Sequence, residues 1–278
     1  MAVNRNRRYA LNEQEIKNFR EDGAVILRGA FVEWVNDLRA GIAETMAAPS
    51  NDSCFYPEPE GGDPEGGGRY FSDYCCWQRI NIFKRFIFRS NSAELAMDLM
   101  GTKTVRLFHD NVMVTEPLAD IPTPWHHDLP YYPIEGKDTC SIWIALDGVP
   151  RDMAMEFIAG SHRWGKLFRP KKIDGTPFYE GEEFEPVPDI EADRSYYRIL
   201  GWGMEPGDAV AFSFSTLHSV PGNRQTGNAR RAYSIELTGD DVKWVRRPGV
   251  TAPPFGKVAL TVGDELTGSE FPFLSRVG

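Results

Sequence analysis

The sequence predicts a mainly β fold, a barrel-like double sheet with helices packed outside it, and three observations carry that expectation. Ser141–Leu146, Ala209–Phe214 and Ala232–Leu237 each alternate or run apolar between Gly, Pro and Asp turn signals, as buried strands do. Helical periodicity is concentrated before Gly101, and beyond it the pattern is mainly strands. A length of 278 residues is one that a single β-barrel or sandwich with helical additions commonly fills, so one domain over 1–278 is expected.

The elements follow in order. Asn12 and Glu15 form a capping-box pattern, and Ile16, Phe19 and Arg20 continue at helical spacing to Gly23, which sets a first helix. Ala24–Leu27, short and bounded by glycines, reads as a strand, and Trp34, Leu38 and Ile42 mark a second amphipathic helix. The run from Pro57 to Gly68 breaks both periods and is expected to be a flexible loop. A phosphate cradle is excluded there, because the run carries Glu58, Glu60, Asp63 and Glu65 and lacks the lysine that such a cradle uses. Ser92–Met100 reads as a helix closed by Gly101, and Val105–His109 with Asn111–Thr115 as paired strands around Asp110. Between Arg169 and Leu200 a long stretch rich in Pro, Glu, Asp and Tyr is expected to be a lid over the site or else a disordered loop. No internal repeat is evident.

Composition narrows the partners. With 31 basic against 40 acidic residues the net charge is −9, which argues against bulk electrostatic binding to nucleic acid or to anionic membranes. No apolar run reaches the length of a membrane span, and Arg5, Arg7 and Arg8 are not followed by the apolar stretch of a secretory signal, so a cytoplasmic protein acting on a small molecule is expected. Cys54, Cys75, Cys76 and Cys140 are too few and too irregularly spaced for a disulfide framework or a zinc ribbon. Cys75 and Cys76 are read as reduced thiols near Trp77. The basic run Arg163, Lys166, Arg169, Lys171 and Lys172 is read first as a solvated face, and second as a place to meet an anionic handle of a substrate.

The chemistry is concentrated in Trp125–His126–His127–Asp128 and in His218, about ninety residues later. Side chains at i and i+2 of a strand share a face, so His126 and Asp128 can offer two metal ligands from one extended segment while His127 points away. Two imidazoles and one carboxylate on one face, with the opposite positions open, are the donor set of non-haem Fe(II) oxygenases. A catalytic zinc takes the same set. Arg230 and Arg231 are the two candidates to anchor a carboxylate cosubstrate. His109 is read as an ordinary strand residue.

In order and context, these residues resemble the phytanoyl-CoA dioxygenase family of Fe(II)/2-oxoglutarate oxygenases. The resemblance runs from Leu11–Leu27 through Trp125–Asp128, Trp143–Asp147 and Gly160–His162 to Pro206–Asp208, His218, Asn223 and Arg230–Ala232. It implies a double-stranded β-helix, a jelly-roll, cupin-like barrel, with iron held near one end. It also implies His126, Asp128 and His218 as metal ligands, with Fe(II), 2-oxoglutarate and O2 used to hydroxylate or otherwise oxidise a small organic molecule with release of succinate and carbon dioxide. The Arg-x-Ala-x-Ser pattern matches Arg230 to the arginine that binds the distal carboxylate of 2-oxoglutarate, a task that favours iron over zinc and suits a guanidinium better than an ammonium. Strand alternation alone permits Arg231.

Further positions follow from the same resemblance. Trp143 matches the aromatic that flanks the cosubstrate, or else is a core tryptophan. Thr115 departs from the family, where many members carry a lysine, which leaves cosubstrate binding leaning on Arg230. Tyr131 and Tyr132 line the substrate pocket or pack under the lid, Asn223 shapes the turn after His218, and His162 is structural or supports the site from behind. Asp128 stands where related halogenases have a small residue, so oxygen insertion and not halogenation is expected. Two other classes share the pattern: a cupin-like metal-dependent isomerase or hydrolase, and a catalytically silent small-molecule binding protein, which would be expected to have lost a ligand.

Overall fold

The computed structural model describes residues 8–57, 68–172, 175–179, 184–255 and 258–276. Helix α1 (Glu13–Asp22) forms where its cap is written: the Asn12 side chain accepts from the Glu15 amide, and Glu15 accepts from the Asn12 amide. It stops at Gly23, whose φ of 83° lies in the left-handed region. A Cβ at Gly23 would also sit 2.4 Å from His162 Nδ1, so the close approach of His162 requires glycine as well.

Helices α2 (Val35–Ala47), α3 (Asn81–Arg89) and α4 (Ser92–Met100, closed by Gly101) complete the outer layer. α3 is unanticipated. Its composition of Phe and Ile is strand-like, yet its buried residues Phe83, Phe86 and Ile87 fall at helical spacing. It packs close to α2, where a Cβ on Gly41 would lie 2.7 Å from the Phe83 ring.

The strands are β1 (Ala24–Leu27), β2 (Cys54–Tyr56), β3 (Tyr70–Tyr74), β4 (Thr104–Thr115), β5 (Thr123–His126), β6 (Ile134–Glu135) and β7 (Thr139–Ala145). After them come β8 (Glu156–Ile158), β9 (Ile199–Gly201), β10 (Ala209–Phe212), β11 (His218–Val220), β12 (Arg230–Thr238), β13 (Lys243–Trp244) and β14 (Phe273–Arg276). One antiparallel sheet has the order β1-β10-β7-β12-β4-β3-β2, with β14 also on β4; a smaller one has the order β5-β11-β8-β9, and β13 pairs with β6.

Alternation sorts the large sheet into two faces. Tyr233, Ile235 and Leu237 of β12 pack with Leu38, Phe83 and Leu99 of the helices, where the Phe83 ring stacks on Tyr233 at 4.3 Å. Arg230, Ala232, Ser234 and Glu236 face a cavity between the sheets. Trp143, Val210 and Phe212 of the large sheet meet Phe157 of the small one, so the two sheets form a jelly-roll sandwich. Hydrogen bonding stays within each sheet, and no closed barrel forms among the described residues.

The expected break at Asp110 is corrected: β4 is one strand of 12 residues. Asp110 is not a turn residue but a buried one, its carboxylate accepting from Trp77 N at 3.0 Å and from Tyr233 Oη at 2.9 Å while its carbonyl accepts from Cys75 N. Burial pushes its pKa up to about 7, against those hydrogen bonds. A carboxyl raised in this way keeps its proton when folded and releases it when unfolded, so its contribution to stability is lost as pH rises from about 4 through 7. Buried His109 and His127, both lowered to about 4 by burial, act in the opposite sense. The difference between wild type and Asp110→Asn isolates the first group: denaturant unfolding at pH 4.5 and 7.5 should show the wild type losing stability relative to the variant as pH rises. A constant difference would remove this role from Asp110.

The segment 169–200 is anchored at its far end, where β9 pairs with β8 and Ile190 packs with Ile158, Phe168 and Leu217. Residues 173–174 and 180–183 of that segment, and 58–67 of the glycine-rich run, lie outside the described residues. None of the four cysteines is in a disulfide among the described residues, and Cys76 is buried beside Trp77. No helix among the described residues is long and apolar enough to cross a membrane.

Candidate active site

His126 is the last residue of β5, and His218, the first of β11, is its cross-strand partner. Directly opposed residues share a face, which brings their rings to 4.2 Å between centroids. Asp128 arrives differently from the expectation. The strand ends before it, and with φ −74° and ψ −33° it opens a short 3-10 turn, so strand parity does not place it. The turn nonetheless brings its Oδ1 to 3.6 Å from His126 Nε2 and 3.7 Å from His218 Nε2.

Each imidazole is held by its other nitrogen. His126 Nδ1 donates to Pro124 O at 2.8 Å and His218 Nδ1 to Thr216 O at 2.9 Å, which leaves both Nε2 lone pairs directed at the point the Asp128 carboxylate also faces. One ligand atom from each of the three residues lies within 4.8 Å of the others. Burial raises the Asp128 carboxyl, but His218 and His126 outweigh it and hold it below the usual carboxylate range. Burial and the neighbouring His126 lower His218 to about 4, so it is neutral at pH 7 as a ligand must be.

The three residues open onto a cavity of about 550 Å³ that Arg230, Trp143, Tyr131 and Tyr132 also line. Arg230 is 7% exposed; its Nη1 donates to Met153 O and Pro221 O, and its Nη2 lies 3.3 Å from Thr115 Oγ1. Among the described residues no carboxylate pairs with it. Burial lowers its pKa to about 10, so the guanidinium stays charged at pH 7. Arg231 faces the other way and makes a bidentate pair with Asp147 at 2.8 and 2.6 Å. Of the two candidates, Arg231 is thus paired outside the cavity and Arg230 lies inside it.

The remaining histidines are placed elsewhere. His127 is buried, with Nε2 accepting from Phe168 N at 2.9 Å and Nδ1 facing Ser215 O. His162 sits against Gly23 with Nε2 at 3.2 Å from Arg20 O. His109, expected to be unremarkable, lies 3.2 Å from Glu236. Asn223 Nδ2 reaches the carbonyls of Thr115, Glu116 and Asn228 and ties the turn after His218 to β4. In the basic run Lys166 pairs with Glu185, whereas Lys171 and Lys172 border the cavity.

A whole face of the cavity escapes motif reading. Tyr70, Ser72 and Tyr74 of β3, Asn111 and Met113 of β4, and Ser234 and Glu236 of β12 line it. The available signal is parity counted from Arg230, which puts Ala232, Ser234 and Glu236 on the same face.

Comparison with known proteins bears on the family and the fold. The family model described as phytanoyl-CoA dioxygenase (PhyH) matches residues 19–232, well over half of the chain. The chain belongs to the phytanoyl-CoA dioxygenase family. A probable phytanoyl-CoA dioxygenase of Caenorhabditis elegans is 29% identical over 134 residues, which cover 46% of this chain and 40% of that protein. The fold is similar to that of the non-heme alpha ketoglutarate dependent carbocyclase SnoK from nogalamycin biosynthesis, with a TM-score of 0.75 at 23% identity over 95% of this chain and 97% of that one. The epimerase SnoN, solved in complex with Fe3+, alpha ketoglutarate and nogalamycin RO, has a TM-score of 0.74 at 22% identity over 95% of this chain and 98% of that one. At these identities the two structures speak to the fold.

Proposed function

We propose that this chain is an Fe(II)- and 2-oxoglutarate-dependent oxygenase that oxidises a small organic molecule with release of succinate and carbon dioxide. One observation carries the reading: a single cavity holds both the His126–Asp128–His218 donor set and a buried guanidinium that, among the described residues, has no carboxylate of its own. The donor chemistry fits Fe(II), with two neutral imidazoles and one carboxylate leaving the cavity side open. Bound there, Fe(II) with 2-oxoglutarate and O2 supplies the oxidation that amino-acid side chains cannot perform.

The chain's own residues bind and orient. His126 and His218 present Nε2, each ring fixed through Nδ1 to a carbonyl. Arg230 receives the distal carboxylate of 2-oxoglutarate, Thr115 lies beside the guanidinium where a lysine would otherwise share the charge, and Trp143 flanks the cosubstrate. Aromatic walls from Tyr131, Tyr132 and Phe212 exclude water from the reacting centre. Anaerobic calorimetry tests the reading: 2-oxoglutarate should bind only when the site holds a divalent metal, Fe(II) or Zn(II) in its place, and admitting oxygen to the Fe(II) form should yield succinate. Metal binding without any affinity for 2-oxoglutarate would place the chain among cupin-like isomerases or hydrolases.

Two narrower expectations accompany this reading. With Asp128 retained, chloride would have to displace a protein ligand, so products formed in excess chloride should lack the chlorine isotope pattern by mass spectrometry; its presence would mean that Asp128 does not stay bound in turnover. The segment 169–200 acts as a lid, since Lys171, Lys172 and Phe178 line the cavity and Tyr131 Oη exchanges hydrogen bonds with the Lys171 backbone. Amide exchange around 175–179 should slow when metal and 2-oxoglutarate are bound. Equal protection in both states would make the segment rigid scaffold.

A further inference from the structure

The register of the large sheet arranges the cavity floor in rows. Tyr70, Thr115 and Arg230 stand opposite one another across β3, β4 and β12 at one end, and His109 and Glu236 stand opposite one another at the far end, six residues along β12 from Arg230. Arg230 is assigned to the cosubstrate, so the opposite end is left for the molecule to be oxidised.

Glu236 is the unusual group there. It is 4% exposed, lines the cavity, and has one oxygen engaged: Ser234 Oγ donates to Oε1 at 2.6 Å. Among the described residues Oε2 has no hydrogen-bond partner, although His109 Nδ1 lies 3.2 Å away. His109 Nδ1 is also 3.3 Å from Asp110 O, an acceptor only, so its proton has a second direction to point. A buried carboxyl oxygen without a partner costs stability unless a ligand satisfies it. Asn111 and Ser234, cross-strand partners on the same face, line the cavity beside it, and Asn111 Oδ1 is already taken by Ser72 Oγ.

Resting on the oxygenase reading above, we infer that Glu236, with Asn111 and Ser234 beside it, is the substrate-anchoring site, and that it recognises a neutral hydroxyl group on the substrate. A neutral group is required because an ammonium would favour an ionised carboxylate, and burial, with Asp128 and Asp110 nearby, pushes the pKa of Glu236 well above the usual carboxylate range. A neutral carboxyl both donates and accepts, and a hydroxyl is the small group that answers both. The aromatic walls then take the apolar body of the same molecule.

Benzyl alcohol, benzylammonium and toluene form a matched probe set that fits the cavity. Their affinities should be measured by NMR titration of the full chain with diamagnetic Zn(II) in place of Fe(II) and saturating 2-oxoglutarate. Wild type should bind benzyl alcohol about tenfold more tightly than toluene, the size expected for one net hydrogen bond to a buried group. Glu236→Gln, which keeps a donor and an acceptor, should retain that preference, and Glu236→Leu should erase it. Equal affinity for alcohol and toluene in wild type, a preference that survives Glu236→Leu, tighter benzylammonium, or no binding of any probe would each overturn the assignment. The wild-type comparison stands even if a variant fails to fold. Titrating 2-oxoglutarate into the Zn(II)-loaded protein before any probe is added separates the two readings: its failure to bind wild type overturns the oxygenase, whereas intact binding without alcohol preference overturns the anchor alone.

Discussion

Asp128→Ala should abolish Fe(II)-dependent succinate formation. The substitution removes the one anionic donor of the set and leaves two neutral imidazoles 4.2 Å apart between ring centroids, a poor site for a hard divalent cation. Removing a group that merely orients a metal ligand costs about 10- to 100-fold in affinity or activity, so deleting a ligand should exceed about a hundredfold. The same residue has a second job in the metal-free protein. Its carboxylate sits against His126 and His218 and favours the protonated form of His218, so Asp128→Ala should hold the His218 imidazole still further below its ordinary value. Melting curves with and without Fe(II) separate the two effects: the metal-dependent rise in melting temperature should vanish in the variant while the fold persists. Undiminished succinate formation by Asp128→Ala would remove it from the ligand set.

Arg230→Ala should weaken 2-oxoglutarate binding by about 2–5 kcal/mol, which is roughly 30-fold to several thousandfold in Kd. The size follows from burial: the guanidinium is 7% exposed, among the described residues no protein carboxylate pairs with it, and its partners are two carbonyls and a hydroxyl. An incoming carboxylate therefore meets a charge that is already desolvated. Arg230→Lys should fall between the two, because an ammonium restores the charge and not the forked pair of donors. Arg231→Ala should leave cosubstrate affinity unchanged, since its guanidinium is paired with Asp147 on the outer face, half in solvent. Calorimetry on the three variants decides the matter. A larger loss in Arg231→Ala than in Arg230→Ala would transfer the role.

Local signals were legible wherever one residue's chemistry decides the backbone. The Asn12–Glu15 capping box and the stops at Gly23 and Gly101 stand where the spacing predicts them, because caps and left-handed turns are satisfied within a few residues. One element was not anticipated and one break was misplaced, for the same reason. The Phe-rich run of α3 folds as a helix because Phe83, Phe86 and Ile87 can bury one face against the sheet, and Asp110 stays within a strand because Trp77 and Tyr233 supply partners that a turn would otherwise provide. Both outcomes depend on residues distant in the chain.

The sequence by itself determined the residue types and their order: His126, Asp128 and His218 as a donor set, a guanidinium after the last histidine, and strands around them. Only the tertiary structure decided how they converge. His218 meets His126 through strand register, Asp128 reaches them from a helical turn where parity does not apply, and the pairing of Arg231 with Asp147 leaves Arg230 as the arginine of the two that faces the cavity. Glu236 belongs to the same class, since an acid in an apolar strand reads as a surface residue until a second sheet is seen to cover its face. The physical reason is common to all of them. Alternation along a strand says which side chains share a face, but which face is enclosed is set by what packs across it, and that is written in no local stretch of the chain.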